Sequence, residues 1–317
     1  MRITEQGILR TSLVHIQRHF EKLAHNQEML ASGIRVKNPS DDPIATQRIL
    51  RWRKVKESIV QYQRNISTVE IWMNTTESII ASVQDIVQRV YELALTAGNE
   101  LLPQEIRAGL SEEVEALLKE IVTLSNSAVD NNYIFAGHIT NTKPFTANYT
   151  GGLITSVDYN GDGGQRVVEI GEGNTITVNV LGSNDIDNDG VADFDYPAIF
   201  RDANLGVDIF DTLINLRNDL TSGNVNNINS LRIPELEDIL DNLAVRRSVV
   251  GLNLDAITLA KDILSKEEID VSEDIDSNEK ADLAKVISDI NYEQTIYQAS
   301  LVSTSKLMQG TLFDFIK

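Results

Sequence analysis

The fold is decided by the last stretch of the chain, residues 283–315, which reads LAKVISDINYEQTIYQASLVSTSKLMQGTLFDF. Its apolar residues recur at alternating steps of four and three. This is the 3.5-residue period of a coiled coil rather than the 3.6-residue period of a straight core helix. The predicted stripe consists of Leu283, Ile287, Ile290, Gln294, Tyr297, Leu301, Thr304, Met308, Thr311 and Phe315. A helix with such a stripe needs a packing partner, which must come from earlier in the chain or from another molecule.

The first stretch of the chain offers such a partner. It repeats the same four-three rhythm through Leu9, Leu13, Ile16, Phe20, Leu23, Gln27, Leu30 and Ile34. This spacing predicts a helix of roughly 25–30 residues. A chain that leaves along one helix and returns along the other pairs them antiparallel, so we expect the two terminal segments to pack together. Burying both stripes supplies less free energy than ordering roughly 70 residues costs, so neighbouring molecules should contribute as well.

The rest of the chain predicts more long helices around a strand-rich middle. One helix follows Pro43 to about Asn99, a second follows Pro103, and a third follows Pro234, all with coiled-coil spacing. Strands are expected at Leu153–Tyr159, Gln165–Ile170 and Thr175–Leu181, a short helix around 207–220, and loops at 224–229 and in the acidic run 267–279. The predicted fold is mainly α with a β-rich insertion: a long helical hairpin or coiled-coil rod built from both termini, with a small β domain at its tip.

This pattern predicts three regions. Residues 1–38 and 280–317 would form terminal coiled-coil assembly segments, 39–135 and 200–279 an α-helical rod domain, and 136–199 a β-rich variable domain.

Composition excludes several classes of function. The formal net charge of -19 argues against binding nucleic acid, although residues 1–60 carry eleven Lys/Arg against six Asp/Glu. The absence of cysteine excludes disulfides and thiolate chemistry. The first residues hold charges throughout and lack the apolar core of a cleaved signal peptide, and no run of 18 apolar residues predicts a membrane span.

One segment resembles a metal site. Asp185, Asp187, Asp189 and Asp193 occupy positions 1, 3, 5 and 9 of a DxDxDG loop with Gly190 at position 6. This spacing is similar to the calcium loops of EF-hand and thrombospondin-type repeats, although Tyr196 stands where an EF-hand has its bidentate glutamate. The alternative interpretation is a surface turn rich in Asp, Asn and Gly.

No other segment predicts a cofactor or a catalytic group. His15 and His19 lie one helical turn apart, but no third metal ligand accompanies them, so a solvated or interface position is the better interpretation. Neither a Ser/His/Asp set nor a pair of carboxylates suited to catalysis stands out. We therefore expect a protein that is not an enzyme and needs no cofactor, calcium excepted.

Several segments, in this order, resemble the flagellin superfamily. They are Leu30–Arg35 (LASGIR) with Pro39–Ala45 (PSDDPIA), Tyr62 with Asn65-Ile66, Tyr91–Asn99, Asn132–Gly137 (NYIFAG) with Pro144-Phe145, and the end of the chain from Tyr297 to Phe315. In this superfamily the first of these segments marks the turn from the outer helix into the rod. Its residues here are Ser32, Gly33, Arg35, Asp41, Asp42 and Pro43. The Asp-Asp-Pro turn, the Phe-Ala-Gly segment and the Phe-Asp-Phe end favour the branch that joins the flagellar hook to the filament.

The resemblance implies a structural, extracellular part of the bacterial flagellum, exported without a cleaved signal peptide. Its implied partners are hook-associated protein 1, flagellin, identical subunits in an axial ring, and an export chaperone; nucleic acid and membrane are not among them. The assembly interface would comprise Leu9, Leu13, Ile16, Phe20, Leu23, Leu30, Ile287, Ile290, Tyr297, Leu301, Met308 and Phe315. Two alternatives stay open: a filament subunit of the flagellin type, and a secreted adhesin that binds through 145–196.

Overall fold

The computed structural model describes residues 5–187 and 189–315, with the backbone alone for residues 5, 6, 8, 9 and 307–315. Its helices are α1 (Glu5–Ser32), α2 (Pro43–Ala97), α3 (Gln104–Ser125), α4 (Ile209–Ser222), α5 (Val225–Asn227), α6 (Ile233–Glu279) and α7 (Leu283–Phe315), with a π-helical turn at Ile228–Arg232 before α6. Its strands are β1 (Ala128–Val129), β2 (Asn132–Tyr133), β3 (Phe145–Thr150), β4 (Leu153–Tyr159), β5 (Val167–Gly171), β6 (Asn174–Thr177), β7 (Leu181–Ser183), β8 (Ala198–Asp202) and β9 (Val207–Asp208). The predicted class, long helices with a small strand-rich region, is confirmed. None of the described helices is long and apolar enough to cross a lipid bilayer.

The chain divides into two compact units. One comprises the described parts of Met1–Ser58 and Lys266–Lys317, and the other is Ile59–Ser265. Both boundaries fall inside continuous helices, α2 and α6, whereas the predicted regions change at the connections near 38 and 280.

In the unit Ile59–Ser265, the coiled-coil spacing of α2 marks its buried face. The positions at steps of seven from Ile59 (Ile66, Met73, Ile80 and Val87) are at most 2% exposed, and so are Val83, Val90, Ala94 and Ala97. Polar groups of the same helix hold the strand region, because Tyr62 Oη and Asn65 Nδ2 donate to Glu169 of β5, at 3.3 and 2.8 Å. The apolar stripe, including Ile66 of this family segment, thus faces the interior of the unit, while Tyr62 and Asn65 beside it are half-buried.

The strand region consists of short hairpins and one mixed sheet. β1–β2, β3–β4 and β5–β6 are antiparallel pairs, and the fourth sheet has the order β7-β8-β9, with β7 and β8 parallel. The three predicted strands exist, with Thr175–Leu181 split between β6 and β7. The strands β3 and β8 were not predicted: the first follows a Pro-Phe pair, and the second is buried along its whole length without alternating polarity.

An aromatic cluster forms the core beneath these strands. Phe145 lies at its centre, 5.1–5.2 Å between ring centroids from Tyr159, Phe200 and Phe210. Phe135 contacts Phe200 edge-on at 5.1 Å. Edge-to-face and tilted packing at these distances stabilises aromatic pairs beyond the area they bury. The family segments around Phe135 and Phe145 therefore anchor the strand region on its core.

A buried ion pair joins α3, α4 and β4. Arg217 Nη1 donates to Glu115 Oε2 and to the carbonyl of Ile154, both at 2.6 Å, while Glu115 Oε1 accepts the Ile154 N–H at 3.1 Å. Burial of Glu115 opposes its ionisation, but the bonds from Arg217, Ile154 and Lys119 outweigh it and lower the pKa of its carboxyl. Because both side chains are about 6% exposed, removing Arg217 or Glu115 would leave the other charge buried without its main partner.

Two segments predicted as loops are helical. The acidic run 267–279 is the end of α6, not a loop, because Leu264, Val271 and Ile275 continue the heptad spacing on its inner face. Basic residues of α2 contact this run: Lys56 donates to Ser272 (2.9 Å) and Arg53 forms an ion pair with Glu279 (2.8 Å). The segment 224–229 likewise forms α5 and the π-helical turn, since the Asn224 side chain accepts the Asn227 N–H and so caps α5.

Candidate assembly interface

The helices α1 and α7 pack against each other in antiparallel orientation. At one end, Ile34 and Lys280 form an antiparallel bridge. Further along, His19 Nδ1 lies 2.6 Å from Glu293 Oε2, and the rings of Phe20 and Tyr297 are 5.9 Å apart. Rising residue numbers on α1 thus meet falling numbers on α7, as expected from the matching stripes.

Within the pair, each helix covers only part of the predicted stripe of the other. On α7 the side chains of Val286, Ile290, Glu293 and Thr304 are buried and Tyr297 is half-buried. On α1 the half-buried positions are Ser12, Ile16, His19, Leu23, Asn26 and Met29. The covered face therefore contains one apolar position in each heptad and several polar ones.

The second heptad position of the predicted stripe stays exposed, at Leu13 and Phe20 on α1 and at Ile287 and Leu301 on α7. Leu30 and Leu283, which share the heptad position of the covered residues, are exposed as well, and so are Val14 and Val302 beside the stripe. Phe20 is 55% exposed and Ile287 48% exposed, although Ile290, one turn away, is only 8% exposed. We call these eight residues the open stripe. A run of large apolar side chains left in water on two paired helices is characteristic of a surface completed by a partner.

A charged contact sets the register of the pair. Glu293 is buried and receives His19 on one carboxylate oxygen and Lys22 on the other, at 2.6 and 3.3 Å. The hydrogen bond with His19, followed by that from Lys22, lowers the pKa of the Glu293 carboxyl. The His19 interface position matches the sequence interpretation. Glu293 was missed, because an apolar pattern does not register a charged residue on the packed face.

The turn after α1 connects the end of α1 to the end of α6. Gly33 adopts φ of +71°, which favours glycine, and its carbonyl accepts the Ala281 N–H at 2.9 Å. The Arg35 N–H donates to the Glu279 carbonyl at 2.7 Å, and its guanidinium donates to the Asn278 carbonyl (2.8 Å) and to Asp42 (3.0 Å). Ser32 Oγ accepts the Ile34 N–H at 3.2 Å. The first half of the family segment thus holds the ends of α1 and α6 side by side.

The second half of that segment begins α2. Asp42 Oδ1 accepts the Ala45 N–H at 3.0 Å as an N-cap, and Pro43 is the first helical residue, where its missing N–H costs nothing. Asp41 Oδ2 accepts the N–H groups of Lys37 and Asn38, at 3.1 and 2.8 Å. These backbone donors, Ala45 for Asp42 and Asn38 for Asp41, lower the pKa of both carboxyls.

Three predicted interface residues cannot be assigned to either face. Leu9, Met308 and Phe315 lie on α1 and α7, but their side chains fall outside the described residues. Val286 and Ser12 lie on the covered face and Val14 on the open stripe. None of the three was predicted, because each lies one position beside the predicted stripe. The role of the whole set in assembly stays a prediction.

The Asp-rich segment lies elsewhere, in the unit Ile59–Ser265, between β7 and β8. One carboxylate oxygen each of Asp185, Asp187 and Asp193 lies within 4.8 Å of the other two. Asp189, the fourth predicted ligand, is outside this cluster, and its Oδ1 accepts the Val191 N–H at 2.7 Å.

The known proteins that this chain resembles are flagellar proteins. Residues 4–140 match the family described as the bacterial flagellin N-terminal helical region. The chain is 25% identical to flagellar hook-associated protein 3 of Salmonella typhimurium, with 99% of each chain covered, and 24% identical to that of Escherichia coli, with 92% of each covered.

Solved structures share the fold. A putative flagellar hook-associated protein from Vibrio parahaemolyticus superposes with a TM-score of 0.61 at 19% identity, covering 76% of this chain and 100% of that one. The flagellar junction protein FlgL from Legionella pneumophila gives 0.58 at 16% identity, covering 74% of this chain and 100% of that one. The chain is thus similar to the bacterial flagellin N-terminal helical region over residues 4–140 and, from end to end, to flagellar hook-associated protein 3.

Proposed function

We propose that this chain is the part of a bacterial flagellum that joins the hook to the filament. The observation that carries the proposal is the end-to-end match to hook-associated protein 3, which leaves no large part of either chain unaccounted for. The named relatives are structural proteins of the flagellum, so the role proposed is mechanical and not enzymatic.

The open stripe supplies a mechanism for joining. In a single chain, α1 and α7 cover part of each apolar stripe, including Ile16 and Ile290, and leave the open stripe in water. At about 25 cal/mol per Å² of apolar area, covering the open stripe on assembly would add favourable free energy at every subunit contact. We infer that identical subunits in an axial ring cover part of it, with hook-associated protein 1 on one side and flagellin on the other.

The same stripe suits a chaperone before export. We propose that the chain is carried to the outside by the flagellar export channel without a cleaved signal, and that a cytosolic partner shields α7 until then. An apolar helix face offered to a groove is a common mode of helix recognition. Ile287→Asp with Leu301→Asp should weaken capture of such a partner, whereas Leu153→Asp, on the β3–β4 hairpin, should not.

A deletion strain separates the proposed function from its alternatives. Without the gene, cells should make hooks without filaments and release unpolymerised flagellin into the medium. Filaments of normal length on that strain would contradict the proposal. An adhesin would leave motility intact, and loss of a filament subunit would not release flagellin in this way.

A further inference from the structure

The connection between β7 and β8 is unusual for parallel strands. Such strands are normally joined by a crossover of a dozen or more residues that contains a helix. Here the described residues of 184–197 form turns and bends only. The connection is fixed at its ends by buried Asn184, whose Nδ2 donates to the Tyr196 carbonyl (3.2 Å) and to Asp202 Oδ1 (2.9 Å) and whose Oδ1 accepts the Ala203 N–H (2.8 Å).

Three carboxylates meet inside this connection. One oxygen each of Asp185, Asp187 and Asp193 lies within 4.8 Å of the other two. Two oxygens bound to one Ca²⁺, at 2.3–2.6 Å each, can be up to roughly 5 Å apart, so all three can reach a single ion. Like charges at this separation repel, in a chain whose net charge is already -19.

A second observation points to a missing partner. Asp185 is only 3% exposed. Its Oδ2 accepts the Gly190 N–H at 3.1 Å, but its Oδ1 is buried and accepts no hydrogen bond from any described residue. Burying a carboxylate oxygen without a partner is unfavourable, and a cation is the strongest partner that it could receive.

The nearby guanidinium of Arg201 is not the cation partner of Asp185. Arg201 lines the same cavity of about 400 Å³ as Asp185. Its Nε donates to Asp208 at 2.5 Å and its Nη2 to the Val157 carbonyl at 3.0 Å. Among the described residues the ion pair of Arg201 is with Asp208, not with Asp185. Arg201 Nη1 is buried and likewise has no partner among the described residues, but it makes no hydrogen bond or ion pair with Asp185, so Asp185 Oδ1 lacks a direct cation partner.

We propose that Asp185, Asp187 and Asp193 bind one Ca²⁺ that stabilises the connection between β7 and β8. The donors are carboxylate oxygens, which a hard divalent cation prefers. Two of the three side chains are exposed, so the ion can enter from solvent and complete its shell with water. Extracellular calcium modules with such open sites bind with dissociation constants on the order of 10⁻⁴–10⁻³ M, and we expect a value in that range.

Calorimetry of the full chain tests the site. After removal of divalent ions with EDTA, titration with CaCl₂ should give one binding site, and 5 mM CaCl₂ should raise the temperature of unfolding and slow proteolysis within 184–197. Asp187→Asn removes one exposed ligand and should weaken binding at least tenfold without altering the fold. Asp185→Asn should do the same, with circular dichroism used to check folding, because this residue is buried.

Asp195→Asn is the matched control, since Asp195 is exposed in the same connection but outside the cluster. It should bind Ca²⁺ as the unaltered chain does. MgCl₂ should bind at least tenfold more weakly, because Mg²⁺ requires stricter octahedral geometry and keeps its water. Absence of binding heat up to 10 mM CaCl₂, equal losses in Asp187→Asn and Asp195→Asn, or equal responses to both ions would each overturn the proposal.

Discussion

Two isoleucines on α7 should respond differently to the same substitution, one mainly in the free chain and the other also in the assembled flagellum. Ile290 is 8% exposed against α1, and Ile287, three residues earlier, is 48% exposed on the open stripe. Ile→Ala removes three carbons, worth about 2.4 kcal/mol when fully buried at about 0.8 kcal/mol each. Scaled by burial, Ile290→Ala should destabilise the α1–α7 pair by about 2.2 kcal/mol and Ile287→Ala by about 1.2 kcal/mol.

In the assembled flagellum the order should reverse. A neighbouring subunit would cover the remaining half of Ile287, so Ile287→Ala should lose about a further 1 kcal/mol of assembly free energy, roughly fivefold in an equilibrium constant. Ile290 is already covered within its own chain and should lose little more.

Two measurements check this reversal. Hydrogen exchange of α7 amides in the purified chain reports the opening free energy of the pair, which suits a chain of two units better than a single global transition. Competition between each variant and a tagged unaltered chain in one strain, read by mass spectrometry of isolated flagella, reports incorporation. Equal effects of the two substitutions in both measurements would refute the assignment of a covered and an open face.

Three further predictions concern stability. Arg217→Ala should lower the unfolding free energy by about 3 kcal/mol in urea denaturation, because it leaves buried Glu115 with only the more exposed Lys119 as a cation partner, whereas an apolar pair replacing both Arg217 and Glu115 should recover most of the loss. The lowered pKa of Glu293 means that its stabilisation of the helix pair is complete above its ordinary value of about 4.3 and is lost as the pH falls through its lower folded value. Exchange protection of α7 should fall over that acid range, and less so in Glu293→Gln. Gly33→Ala should cost about 1 kcal/mol in thermal unfolding, because φ is +71° and the space is open, while Gly109→Ala in the middle of α3 should stabilise by about 0.5–1 kcal/mol. A loss at both glycines would point to packing instead of backbone strain.

The sequence was sufficient for the long helices because their apolar period is uninterrupted. Most buried positions of α2 between Ile59 and Ala97 are the ones that the heptad spacing selects, although Trp72, Ile79 and Leu93 beside the stripe are buried as well. The acidic run 267–279 was misjudged because its charge was weighed and its two inward-facing apolar residues, Val271 and Ile275, were not. The basic residues that contact it, Arg53 and Lys56, lie more than 200 positions away in the sequence.

The candidate interface shows a different limit. A stripe of apolar residues indicates that a helix face is buried, but not by how many partners. In the structure the stripe divides, so that Ile16 and Ile290 pack within the pair while Leu13 and Ile287 face water. Glu293 lies on the packed face through a contact 274 positions apart, with His19. Only the three-dimensional pairing could reveal this contact.

The central claim is that the open stripe becomes the contact between subunits. Because the chain has no cysteine, a single Leu301→Cys substitution places one thiol on the open stripe, and Leu153→Cys places one on the β3–β4 hairpin as a control. Both thiols should react with a maleimide at similar rates in the purified chain. In isolated flagella the account predicts that Cys at 301 is protected at least tenfold while Cys at 153 stays reactive; equal reactivity of the two thiols in assembled flagella would contradict it.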